Sequence, residues 1–124
     1  MKRLLAAVVL FCLILSAYLS GYFYIKQTCN QANELLSDCI KEYELKNSAV
    51  ESAERLENFW QKKEKLLSVF ANHTEIDEIE LTISTLKVYS STDDKVHFSE
   101  YSGNVKILLH QLHEDIIPSI HSIL

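Results

Sequence analysis

Glycine and proline are nearly missing from this chain, with two glycines and one proline in 124 residues. A sheet of many hairpins needs turn residues every few positions, so this scarcity excludes a β-rich fold and leaves a helical one. Charge is missing from one stretch. Lys2 and Arg3 are followed by no charged residue until Lys26. Catalytic signatures are missing too. No glycine-rich phosphate loop, no nucleophile elbow, no His-Glu-x-x-His, no Glu-x-x-His of the di-iron proteins and no paired carboxylates in an apolar setting occur. An enzyme is not expected, and no cofactor is implied.

The uncharged run from Leu4 to Ile25 is long enough to matter on its own. Its 22 residues would reach roughly 33 Å as a helix, enough for a hydrocarbon layer of about 30 Å. A cleaved signal peptide would need a shorter apolar region and small residues before the cut. Ser20 has Tyr18 two positions before it and Gly21 has Leu19, while neither Cys12 nor Cys29 follows a lipoprotein-type Leu-small-small run. Residues 1–25 therefore read as an uncleaved transmembrane signal anchor, with membrane contact through 4–25. Tyr18, Tyr22 and Tyr24 suit an interfacial aromatic belt, and Lys2 with Arg3 favours a cytoplasmic N-terminus. The expected location is the cell membrane, single-pass, with residues 26–124 extracytoplasmic.

Beyond Lys2 and Arg3, 10 basic residues face 17 acidic ones, a net charge of −7. A domain this acidic is repelled by nucleic acid, which is excluded as a partner. The 99 residues after the anchor suffice for one core but not two domains. Four apolar stripes organise them. Cys29, Ala32, Leu36, Cys39 and Tyr43 form the first; Ala49, Ala53, Leu56, Trp60, Lys63, Leu67 and Phe70 the second. Ile76, Ile79, Ile83 and Leu86 form the third, and Phe98, Tyr101, Val105, Leu108 and Leu112 the fourth. Steps alternating between three and four residues are the seams of packed helices. The fold class expected is all-α, the anchor helix continuing into an antiparallel up-and-down bundle of three to four helices.

Capping chemistry sets the boundaries at about 26–45, 48–71, 74–90 and 93–117, with a short apolar tail at 118–124. Ser48 with Glu51 matches a capping box, Thr74 with Asp77 a weaker one, and Thr92, Asp93 and Asp94 offer oxygens at the fourth start. Pro118 should end or kink the last helix near Ile117. With no linker between anchor and first stripe, the anchor helix is free to run straight into the bundle. Ile116, Ile117, Ile120, Ile123 and Leu124 then finish near the bilayer, as a last core layer or as an interfacial foot.

Several residues invite sharper readings. Cys29 and Cys39, ten positions apart on one helix, are separated by about 15 Å, beyond the roughly 7 Å reach of a disulfide. They read first as small buried hydrophobes, and next as a bridge between chains through Cys29. His73 and Asp77 on the third helix and His110, His113 and Glu114 on the fourth should lie at the same end of the bundle. Imidazoles and carboxylates converging from antiparallel helices can hold a metal, yet solvated histidines are the plainer reading, and no metal site is expected. Lys63 should snorkel from the seam, and Trp60 and Phe59 should be core.

A resemblance accompanies these features. The run Trp60-Gln61-Lys62-Lys63, the stretch Ala71-Asn72-His73-Thr74-Glu75-Ile76-Asp77-Glu78-Ile79 and the closing Ser122-Ile123-Leu124 resemble a family of short, N-terminally anchored bacterial proteins. It is domain of unknown function four-three-six-three. The ending departs from the family's Asn-Ile-Leu at Ser122. The resemblance implies a bacterial, membrane-anchored protein and brings no activity with it.

Two functions fit. One is a non-catalytic interaction or accessory protein at the outer face of the bacterial cytoplasmic membrane, docked on a protein such as a multi-span membrane partner. The other is an extracytoplasmic ligand-sensing or metal-binding bundle. Neither reading decides whether the chain forms a homo-oligomer.

Overall fold

The computed structural model describes the backbone of residues 1–123 and the side chains of residues 1–114. Four helices follow one another: α1 (Lys2–Lys46), α2 (Val50–Phe70), α3 (His73–Tyr89) and α4 (Lys95–Ile123). Among the described residues there is no strand. Each helix packs on its neighbours in sequence and α1 closes the ring against α4, whereas the diagonal pairs do not meet. The result is the expected all-α, up-and-down antiparallel bundle, here with four helices.

The apolar N-terminal segment and the first bundle helix form one unbroken helix of 45 residues. No glycine or proline pair interrupts it, because Gly21 keeps helical geometry and no proline lies before Pro118. It stops at Asn47, which takes the left-handed conformation at φ 55° and donates its N–H to the Tyr43 carbonyl at 2.8 Å. Asparagine tolerates that region better than most side chains.

The first three stripes form the core largely as read. Cys29, Ala32, Leu36, Cys39 and Tyr43 of α1 are buried, as are Ile76, Ile79, Ile83 and Leu86 of α3. On α2 the core takes Ala53, Leu56, Trp60 and Leu67, while Lys63 turns its ammonium over the Tyr24 and Phe59 rings, 5.7 Å from each centroid. Lys63 thus lays its stem on the seam edge and keeps its charge outside. The fourth stripe keeps Phe98, Val105 and Leu112 in the core but moves by one residue at its other two positions. Ser102 and Leu109 are buried in place of Tyr101 and Leu108, which lie at the core's margin. Tyr101 stacks instead on Tyr89, at 5.3 Å between centroids. A hydroxyl can enter the seam here because Ser102 satisfies it on the Ser99 carbonyl at 2.9 Å.

Two capping assignments also change. Ala49, not Ser48, stands at the start of α2, with no side-chain cap. Its buried N–H donates to the Ser90 carbonyl across the bundle at 3.0 Å, so a tertiary hydrogen bond replaces the capping box. Asn72 caps α3 by accepting from the Thr74 N–H at 2.9 Å. At α4, Asp94 accepts from the His97 N–H at 3.1 Å, as the acidic start suggested. Past Pro118, α4 continues to Ile123 rather than ending near Ile117. An interior proline removes one ladder hydrogen bond and crowds the carbonyl four residues before it, which bends a helix without always ending it. The expected placement of the Ile116, Ile117, Ile120, Ile123 and Leu124 side chains lies outside the described residues.

The two ends of the bundle differ. One is closed: besides the Ala49–Ser90 bond, Tyr43 donates its hydroxyl to the Thr92 carbonyl at 3.0 Å and stacks on Phe98 at 3.8 Å. The other end is open.

Candidate functional site

The open end is where α1 leaves the bundle, beside the α2–α3 turn and the later part of α4. Every residue from Met1 to Ser20 is exposed, and Gly21 is the first buried one. Gly21 leaves room for its neighbour. A methyl group there would overlap the Phe70 ring, which closes over the helix at this point. Phe70 also meets Tyr24 at 6.4 Å, and Tyr22 packs on His113 at 5.7 Å. Between these groups lies an open cavity of about 570 Å³, lined by Tyr18, Gly21, Ile25, Phe70, Asn72 and Leu112 among others.

The polar groups nearby form local pairs. His73 pairs with Asp77 at 3.5 Å and approaches the Ser68 hydroxyl at 3.4 Å, fixing the turn. His110 pairs with Glu114 at 3.2 Å. His113 keeps its Nε2 buried against Tyr22 without a hydrogen-bond partner. The five metal candidates thus reach the same end but split into two pairs and a lone imidazole. Among the described residues, no group of three or more His, Cys, Asp or Glu side chains gathers to hold a metal.

Across α2 and α3 run two polar pairings that the stripes do not reveal. Ser84 and Lys87 bind the Glu57 carboxylate at 2.9 and 3.2 Å. Glu64 lies opposite Glu80, its Oε1 buried without a donor. Burial first, then the hydrogen bond to Glu80 and the charges of Glu80 and Asp77, push the Glu64 carboxyl up to about 7. Two ionised carboxylates offer no donor to one another, so the pair is satisfied when Glu64 carries a proton. Glu64 and Glu80 each stand eight residues from Asn72, and Glu57 and Lys87 fifteen. Folding the sequence symmetrically about that turn would have found both pairs.

Cys29 and Cys39 are buried and unpaired. Burial pushes both thiols up to about 12, with Glu42 adding its charge at Cys39. They stay protonated and are poor nucleophiles.

Geometry of this kind defines a class: an all-helical bundle whose first helix projects a long apolar segment. That segment has a mean hydropathy of 2.4 with 6% of it buried, so α1 is long and apolar enough to cross a membrane and is not a core helix there. The chain belongs to the family described as Domain of unknown function (DUF4363), whose profile matches residues 19–123. The match opens two residues before Gly21, so the family unit coincides with the bundle. No curated protein and no solved structure matches the chain significantly.

Proposed function

We propose that this chain is a single-pass, membrane-anchored, non-catalytic accessory protein that presents its acidic bundle to a protein partner at the outer face of the bacterial cytoplasmic membrane. The observation that carries this reading is the projecting part of α1. A rod of apolar side chains from Leu4 to Leu19, every residue of it exposed, far exceeds the few hundred Å² of contiguous apolar surface that water-soluble monomers show. Lipid is the solvent that covers it at no cost. Lys2 and Arg3 before the segment support a cytoplasmic N-terminus.

A net charge of −7 on the remainder supports a protein partner with basic groups over nucleic acid. What supports this interaction role over metal binding is that His73 with Asp77 and His110 with Glu114 each pair along their own helix, and no three such side chains gather among the described residues. A multi-span membrane protein is the partner class that a short anchor beside a compact bundle would best reach.

Reporters active only inside or only outside the cell, fused after Leu124, test the topology. The expected result is outside activity from a membrane-bound, full-length chain. A cytoplasmic C-terminus, or a mature chain beginning after Ser20, would overturn the reading.

A further inference from the structure

The anchor is shorter in the structure than in the sequence. Gly21 and Ile25 belong to the bundle's buried set, so of the apolar run only Leu4 to Ser20 projects freely. Seventeen residues reach about 25 Å, against a hydrocarbon layer of about 30 Å, and any tilt widens the gap. Where the bilayer does not thin, side chains beyond Ser20 fill the remaining depth of roughly 5 Å. That depth on α1 reaches Phe23 and Tyr24.

The side chains at this height are suited to it. Gly21 lies against Phe70, so the end of α2 is level with the start of the bundled part of α1. Phe23, Val69 and Phe70 are all exposed there, Val69 by 71%, and Leu66 is exposed one turn farther along α2. Slightly farther along, Lys26 on α1 and Lys62 and Lys65 on α2 are exposed. At five to eight residues from Gly21 or Phe70 they stand about 7 to 12 Å along the helices from those two residues, where their flexible stems extend toward the phosphate layer. The α3 side of the same end carries Asn72, Thr74, Asp77 and Glu78 instead, so among the described residues the apolar edge lies on α1 and α2.

We propose that this α1–α2 edge is a second lipid contact: Phe23, Val69 and Phe70 sit below the headgroups of the leaflet that α1 emerges into, while Lys26, Lys62 and Lys65 reach toward its phosphates. The bundle is then seated on the bilayer at a fixed tilt rather than held clear of it. The inference rests on the anchor reading, and deepens it by adding a lipid-binding surface outside the spanning segment. Short spans commonly draw flanking side chains into the interface, and lysines snorkel toward phosphate.

Spin labels on the full chain in phosphatidylcholine bilayers test it. Native Cys12 reports on the anchor, since Cys29 and Cys39 are buried. Labels at Val69→Cys and Val96→Cys, each with Cys12→Ser, report on the edge and on exposed α4 near the closed end. The expected ratio of oxygen to nickel-chelate accessibility is high at 12, several-fold higher at 69 than at 96, and lower at 69 when the hydrocarbon is thinned to the length of the free segment. A water-like ratio at 69 with a lipid-like ratio at 12 would overturn this inference alone. A water-like ratio at 12 would overturn the anchor as well. Exclusion of both relaxants from 69 would assign the edge to a second copy of the chain, and a lipid-like ratio there that ignores bilayer thickness would refute the length argument.

Discussion

Trp60 has no exposed surface, and its indole N–H donates to the Ile76 carbonyl at 3.3 Å, so one side chain both fills the core and ties α2 to α3. Trp60→Ala should cost about 3–5 kcal/mol. The shifted seam of α4 gives a sharper comparison. Leu109→Ala should cost about 2–5 kcal/mol, and Leu108→Ala clearly less, since Leu108 is only partly buried. Exposed Glu78→Ala should stay under about 0.5 kcal/mol. Denaturant unfolding followed by helical circular dichroism, in one detergent for all variants, ranks them. Cys29 and Cys39, buried and held protonated, should resist maleimide in the native protein and react only once it is unfolded. Mass spectrometry before and after denaturation reads this directly.

At the level of the elements, what joins the helices is partly polar, and the polar parts respond to pH. Glu64 binds its proton up to about pH 7 in the folded bundle but gives it up near 4.5 when unfolded. Between these values the folded chain holds more protons, so stability falls as pH rises through that window and is flat above it. Glu64→Gln keeps the hydrogen bond to Glu80 without needing the proton. Its unfolding temperature should exceed that of the unaltered chain at pH 8, and match it more closely at pH 5. A Gln variant that loses stability equally at both values would mean the pair is not the cause. Where α1 meets α2, Gly21→Ala should destabilise through the Phe70 ring by about 1 kcal/mol or more, and Phe70→Ala on that background should recover part of the loss. Additive losses in the double variant would show that the two sites do not touch.

For the molecule as a whole, the helix that projects and the bundle that folds are separate in energy although they share one helix. None of residues 1–20 is buried, so a chain beginning at Gly21 should unfold at nearly the same denaturant midpoint as the full chain. Beginning at Lys26 should not be equivalent, because Gly21 and fully buried Ile25 are lost from the core. A common midpoint for all three chains would refute the placement of Ile25.

Much of this architecture is written locally. Periodicity in the stripes, scarcity of glycine and proline and the uncharged run each act within one helix, so the sequence by itself determined an all-helical bundle, most of its core and the apolar projection. Ser102 and Leu109 entered the core, and Ser48 lost its cap to Ala49, because neighbouring helices chose the register. Packing rewards shape and hydrogen-bond satisfaction between elements, which no single helix encodes. The same holds for the two ends. Only the tertiary structure decided that the bundle begins at Gly21 and that His113 packs on Tyr22, since each depends on where a partner helix stops and how deep it reaches.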